Sequence, residues 1–336
     1  MENAPKKRKR LSTGKKVAIG IFAAVWLVIL AGIGYLYHTF SLMNHTEKPE
    51  EKPVAAETTE SDNDLGSLQW DSANQVYYDD NVINILLIGQ DTRDGTRQRS
   101  DSMIIATINQ NTKEVILTSL MRDLYVDIPG RGGNRINAAF AFGGSQLLDQ
   151  TIESNFNIRI DANAVVDFEG FQRVIDSIGG IDIELYQEEV DYLGYNDLSV
   201  GMNHLNGEQA LAYARIRYVG NNDYERTERQ RRVLMAAFKQ VKNQGVMTSV
   251  SMINELFPLV TTDLSTMDII RYAGTVLSMN VDTVRTYRIP MDGEFSNDTI
   301  RGMMVLVPDL NQCRASMLKA IYGVENIQTG ILAEAE

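Results

Sequence analysis

Residues 81–120 read NVINILLIGQDTRDGTRQRSDSMIIATINQNTKEVILTSL. Val82–Ile88 is apolar except for Asn84, and Ser102–Ile108 and Glu114–Leu120 are two further runs of strand-like length. The segment from Asn109 to Lys113 reads as the turn that joins the second run to the third. If neighbouring runs pair antiparallel, the loop from Gln90 to Asp101 and the residues after Leu120 share one end of the sheet.

Leu124–Ile128 is a short extended piece closed by Pro129-Gly130, and Ala138–Asn155 has helical spacing interrupted at Gly143-Gly144. Ala164–Asp167 predicts a strand, Glu169–Ile178 a helix stopped by Gly179-Gly180, and Ile181–Leu185 another strand. Asn206 to Gln209 is a capping-box pattern opening a helix toward Tyr213. Arg226–Lys242, Thr248–Phe257 and Ser265–Met279 follow as helices, the second stopped by Pro258. Thr283–Ile289 reads as a strand and Pro308–Tyr322 as a terminal helix. This alternation predicts an α/β domain with helices on both faces of a sheet, and the early hairpin makes the sheet mixed.

The chain has 336 residues, 44% of them hydrophobic, with one cysteine, three histidines and a net charge of −12. A lone Cys313 excludes an internal disulfide framework and any Cys-rich zinc or iron–sulfur module, and three histidines leave little for a multi-His metal site. The charge is unevenly spread: residues 1–16 carry +6, residues 44–80 carry −8 and residues 81–336 carry −10. Residues 17–37, VAIGIFAAVWLVILAGIGYLY, form 21 residues without a charge. At about 1.5 Å per residue such a helix spans the hydrocarbon of a bilayer. A cleavable signal peptide has a shorter apolar core and a small-residue exit, whereas this run leaves through Tyr35, Tyr37, His38 and Phe40. Residues 17–38 are therefore expected to be a transmembrane signal anchor, with the basic tail 1–16 cytoplasmic by the positive-inside rule. On that expectation 39–80 is an acidic extracellular linker, 81–327 the folded extracellular domain and 328–336 a C-terminal tail. The acidity of the outer zone excludes a nucleic-acid surface.

His204, the sole histidine of that zone, precedes a helix start, where packing or capping accounts for it. No Walker A pattern is present, and the 130–133 segment GRGG lacks the strand-to-helix setting of a dinucleotide loop. Of the 23 basic residues after position 80, 19 are arginine, the side chain suited to bidentate contact with phosphate or carboxylate. Asp and Arg in abundance, without histidine, point to a divalent cation and phosphate. Asp91 and Asp101 close the two ends of the loop between the first two strands; as hard oxygen ligands they suit Mg2+, and loop capping is the competing reading. Arg122 returns toward Asp101 if the second and third strands pair. Arg215 and Arg217 point together if the chain is extended beyond Tyr213, with Ile216 turned inward. Asp223 is placed as a helix N-cap, with Arg226, Arg229 and Gln230 at i, i+3 and i+4 on one face. An ordinary charged surface helix competes with that reading, although so many clustered arginines repel one another unless an anion joins them.

Eight segments then fall into one pattern: 84–93 (NILLIGQDTR), 99–104 (RSDSMI), 119–130 (SLMRDLYVDIPG), 135–139 (RINAA), 166–170 (VDFEG), 175–180 (IDSIGG), 205–217 (LNGEQALAYARIR) and 223–232 (DYERTERQRR). In this order, over roughly 82–232, the chain resembles the LytR-CpsA-Psr family. The departures are mild: Met121 stands where proline is usual, Gln90 for serine, Arg135 for lysine, and Glu225 at a commonly small position. The resemblance implies a three-layer α/β/α domain with a mixed central sheet, held outside a Gram-positive cell membrane by one transmembrane helix. It implies transfer of a glycopolymer, teichoic acid or capsular polysaccharide, from polyprenyl pyrophosphate to a peptidoglycan hydroxyl, with release of polyprenyl phosphate. At matching positions it implies Asp91 and Asp101 as ligands of Mg2+ (or Mn2+). Arg99, Arg122, Arg215, Arg217, Arg226 and Gln230 would bind the pyrophosphate. Asp223, with Arg122 and Arg226, would be catalytic, positioning the acceptor or its proton. The lipid would occupy an apolar channel that the sequence leaves unassigned. The expected partners are the lipid-linked glycan, peptidoglycan and the membrane, with no nucleic acid. Competing functions are a pyrophosphatase on the same lipid, a membrane-anchored envelope regulator of the transcription-attenuator type, and a non-catalytic wall-binding module.

Overall fold

A computed structural model describes residues 44–45, 69–71, 75–90, 99–217, 219, 223–244, 259–279, 281 and 284–324. The first elements are β1 (Asn44–His45), β2 (Gln69–Asp71), β3 (Val76–Tyr78), β4 (Val82–Gln90), β5 (Ser100–Asn109), β6 (Glu114–Leu120), β7 (Tyr125–Ile128) and β8 (Gly132–Arg135). Then come α1 (Asn137–Phe156), β9 (Ala162–Asp167), α2 (Phe168–Ser177), β10 (Ile181–Leu185), α3 (Gln187–Leu193), β11 (Gly201–Leu205) and α4 (Gly207–Ala214). The chain continues with α5 (Asp223–Gln244), β12 (Val260–Thr262), α6 (Thr266–Met279), β13 (Val284–Ile289), β14 (Phe295–Ile300), β15 (Met303–Pro308) and α7 (Leu310–Tyr322).

Seven strands form the central sheet in the order β1-β12-β9-β4-β5-β6-β13. The β4–β5 and β5–β6 pairs are antiparallel, while β9 runs parallel to β4 and β13 parallel to β6, so the sheet is mixed as expected. Asn109 makes the turn between β5 and β6: its Oδ1 accepts from the backbone N–H groups of Asn111 and Thr112, both at 3.0 Å. This pairing brings the C-terminal ends of β4, β6, β9 and β13 and the N-terminal end of β5 to one edge. Open α/β sheets bind ligands at such an edge.

Side-chain alternation separates the two faces of the sheet. Leu86, Ile88, Met103 and Ile105 join Leu148, Ile152 and Phe156 of α1 and Met317, Leu318 and Ile321 of α7 in one core. A second core on the other side gathers Ile175, Ile181, Ile183, Leu205, Tyr213 and Val233. There α2 and α4 meet backbone to backbone: a Cβ on Gly207 would lie 2.1 Å from the Gln172 carbonyl oxygen. Asn84, the polar break in the first strand, is buried and fully used. Its Oδ1 accepts from Thr107 Oγ1 (2.7 Å), and its Nδ2 donates to the Arg159 carbonyl (2.9 Å) and to Tyr322 OH (3.3 Å).

Two residues ahead of the expected boundary at 81 pack against the domain. Val76 and Tyr77 are buried, and Tyr77 N–H donates to the Asn157 carbonyl at 2.8 Å. Two adjacent apolar residues are too few for a periodic signal. Gly144 does break α1, with φ +71° and ψ −159°. The β14–β15 hairpin escapes sequence reading because its first strand, FSNDTI, is mostly polar and exposed, and its turn uses Arg301-Gly302 rather than Asn-Gly. The 248–257 helix, the 17–38 span and the 328–336 tail lie outside the described residues. Among the described residues no helix is long and apolar enough to cross a membrane.

Candidate functional site

At the sheet edge the β4–β5 register slips: Gly89 faces Ser102 and Gln90 faces Ser100, which leaves Asp101 without a partner across the ladder. A bulge of this kind re-aims a side chain. Asp101 Oδ1 accepts from Arg122 Nη1 at 3.3 Å, and Arg217 Nη2 stands 3.9 Å from the same oxygen. Arg122 Nε is 3.5 Å from Asp123 Oδ2, and the other Asp123 oxygen is 3.3 Å from Arg135 Nε. The edge therefore carries charges of alternating sign. Beside them Ser102 Oγ donates to Gln230 Oε1 at 3.1 Å, and the Arg215 guanidinium stacks 4.4 Å from the centre of the Phe168 ring.

Behind this edge lies a cavity of about 350 Å³ between the sheet and α2, α4 and α5. Its walls are Leu87, Ile104, Ala164 and Val166 from the strands, with Phe168, Phe171, Val174, Leu211, Val233 and Leu234 from the helices. Asp101, Asp167, Arg215, Arg217, Arg226 and Gln230 supply its polar part. An apolar slot with a guanidinium-rich edge is built for a molecule with an apolar tail and an anionic head.

Of the residues singled out from sequence, Asp101, Arg122, Arg215, Arg217, Arg226 and Gln230 converge here. The expected strand through Arg215 and Arg217 does not form. Arg215 caps α4 with φ −100° and ψ −1°, and Arg217 follows in irregular chain. Ile216 is wholly buried, as expected, and both arginines still reach the cavity. Arg229 is a second correction. It is buried and pairs with Glu189 (2.8 Å) and Glu225 (3.0 Å), tying α5 to α3. At about 100° per residue, Gln230 lies roughly 40° from Arg226 while Arg229 lies roughly 60° to the opposite side. Arg99 is exposed at the start of β5, off the cavity wall. Asp91 lies outside the described residues, and Asp223 is the first residue of α5 rather than the residue before it. Among the described residues no three His, Cys, Asp or Glu side chains cluster as a metal site.

Sequence reasoning missed the apolar lining and Asp167, whose Oδ1 accepts from Gly170 N–H at 2.7 Å to start α2 beside the cavity. Phe168, Phe171 and Val174 recur at helical spacing, which reads as ordinary core until the space in front of them is seen to be empty.

A sequence profile described as the LytR_cpsA_psr family matches residues 37–319. The polyisoprenyl-teichoic acid–peptidoglycan teichoic acid transferase TagU of Oceanobacillus iheyensis is 34% identical over 286 residues, covering 83% of this chain and 85% of that protein. TagU of Enterococcus faecalis is 33% identical over 265 residues, covering 76% and 80%. The fold is shared with the solved structure of YwtF (TagT) with bound octaprenyl pyrophosphate lipid, at a TM-score of 0.60 and 21% identity over 82% of this chain and 99% of that one. With the profile running from ahead of the folded domain into α7, and the alternating charges seated on its motifs, the chain belongs to the LytR_cpsA_psr family.

Proposed function

We propose that the protein transfers a polyprenyl-pyrophosphate-linked glycopolymer, teichoic acid or capsular polysaccharide, to a peptidoglycan hydroxyl. The observation that carries this reading is the cavity, apolar within and edged by Arg215, Arg217 and Arg226 next to Arg122 and Asp101. The apolar wall takes the polyprenyl chain and the guanidinium groups take the pyrophosphate. The acceptor oxygen bonds to the phosphorus that carries the glycan, and the bond from that phosphorus to the bridging oxygen breaks. Polyprenyl phosphate leaves and the acceptor gains a phosphodiester. Asp223, at the start of α5, takes the hydroxyl proton. Such chemistry needs charge neutralisation and alignment more than a nucleophilic side chain. Arg122, Arg215, Arg217 and Arg226 provide the first, with Gln230 holding Ser102 beside them. Arg99, exposed ahead of β5, meets the outer side of the head group.

The donor chemistry also fits a hard divalent cation. The Asp101 carboxylate is turned to the edge by the bulge, and its Oδ1 attracts two guanidinium groups. Asp101, with Asp91 from the adjoining loop, would hold Mg2+ (or Mn2+), which would neutralise phosphate oxygens. The relatives named as teichoic acid transferases support the transfer. The uncharged 17–38 run behind a basic tail supports a single-pass anchor with the three-layer domain outside the cell.

The test incubates the full chain in detergent with lipid-linked polymer, Mg2+ and peptidoglycan. Polymer joined to peptidoglycan is the expected product. Free phosphorylated polymer would make the protein a lipid pyrophosphatase, and formation of neither product by the wild-type chain would leave a non-catalytic role. Protease access to residues 81–327 in intact cells checks the placement.

A further inference from the structure

On the opposite face of α5 lies a second cleft, of about 670 Å³, between that helix and the C-terminal end of β13. Arg226 and Gln230 face the first cavity, while Tyr224, Glu228 and Arg231 line this one. They sit roughly 140–200° around the helix from Arg226. The cleft is more polar than the first cavity: Glu228 and Asp292 offer acceptors, Arg231 and Arg288 donors. Arg288 is already held, stacked 4.2 Å from the Tyr224 ring centre and 2.6 Å from Asp292 Oδ1. Arg231 is different. It is 8% exposed and donates from Nη1 to Ser119 Oγ at 2.9 Å, and its buried Nε has no hydrogen-bond partner among the described residues. Burial weakens its hold on its proton; Glu228 opposes this and Arg288 adds to it. A buried cation on the cleft wall is stabilised by an anionic group that a ligand brings into the cleft.

We infer that this cleft holds the acceptor, a glycan strand whose hydroxyls meet Glu228 and Asp292 and whose attached peptide presents a carboxylate to Arg231. The inference rests on the transferase reading and on the geometry of displacement at phosphorus, where attacking and leaving oxygens stand on opposite sides. The leaving polyprenyl phosphate lies in the first cavity, so the hydroxyl must reach the phosphorus from the side turned away from that cavity. The cleft opens outside the first cavity and beside the same sheet edge: Ser119, which Arg231 grips, is three residues before Arg122.

The test is steady-state transfer by the full chain in detergent micelles, with lipid-linked polymer as donor and a soluble disaccharide–peptide fragment of peptidoglycan as acceptor. Arg231→Gln removes the charge. Thr286→Trp fills the cleft from an exposed position on β13 and guards against misfolding of the first variant. Both are expected to raise the acceptor KM about tenfold or more, the effect of one lost charge-assisted hydrogen bond, and the donor KM less than about twofold. An unchanged acceptor KM in the folded variants overturns the inference, as does a rise in the donor KM alone. If the wild-type chain joins no polymer to the fragment, the transferase reading fails separately. Direct titration with the fragment then decides: binding lost in Thr286→Trp sustains the cleft, and no binding by wild type overturns it.

Discussion

On one face of β4 and β5, Leu86, Ile88, Met103 and Ile105 are closed over by α1 and α7; on the other, Leu87 and Ile104 look into about 350 Å³ of space. The strands supply similar side chains to both faces, so the difference comes from what the helices bring. α1 and α7 lay down large aliphatic residues, while α2, α4 and α5 stand off from the sheet and keep arginine at the edge. Side chains around a void lose the dispersion contacts that a filled core provides. The filled face therefore supplies stability to the apoprotein, and the hollow face gains its share when an apolar tail enters.

The strongest way to break this comparison is at the edge of the hollow face. Arg122→Ala is expected to lower turnover by about 10²–10³, the usual effect of removing one preorganised charge donor, with little change in unfolding temperature. Turnover within threefold of wild type would remove Arg122 from the chemistry. The next contrast lies within one strand. Leu86→Ala on the filled face is expected to cost about 2–5 kcal/mol in urea unfolding, and Leu87→Ala less than about half of that. Equal losses would mean that both faces are equally packed. Ala164→Leu sharpens the comparison further. Added bulk in the cavity should leave the urea midpoint unchanged or higher and weaken polyprenyl phosphate binding about tenfold, roughly 1.4 kcal/mol.

The smallest effect is far from either face. His204 Nδ1 lies 2.7 Å from Asp182 Oδ1 and Nε2 lies 2.8 Å from the Gly179 carbonyl. The Asp182 bond, then the Gly179 bond, raise its pKa above the ordinary 6.5. A raised pKa adds stability that is fully present below about pH 6.5 and fades as pH climbs through the folded-state value. Because the ring is more than half exposed, solvent screening keeps the effect small. The gap in unfolding temperature between wild type and His204→Gln should shrink from pH 5.5 to pH 8.5; a gap that widens reverses the sign.

Much of the hollow face's edge was legible in the sequence. Three apolar runs and one turn placed Asp101 and Arg122 at the same end, because antiparallel pairing leaves no other choice once the runs are adjacent. The void was not legible, since periodicity reports which side chains are apolar and is silent on whether anything fills the space before them. Arg229 shows the same limit in charge: spacing put it near Arg226, but only the fold reveals that Glu189 waits on its side of the helix. The bulge at Asp101 depends on a one-residue slip that no local pattern marks. The roles that the family motifs imply for Asp91 and Asp223 fall outside the described side chains.

Asn84, so far a satisfied polar residue in β4, also bears on the order of assembly. Its amide holds Tyr322 OH, which donates in turn to the Tyr77 carbonyl at 3.0 Å, so the last turn of α7 locks onto the first buried strand across 245 residues. β13 likewise reaches back to pair with β6. Contacts this distant in sequence slow folding, because a long loop must close before they form. A chain made from its N-terminus can build the β4–β5–β6 hairpins early, but the filled face stays open until its last helix is complete. Loss of α7 by truncation would uncover apolar residues of β5, Met103 and Ile105, as an aggregation surface.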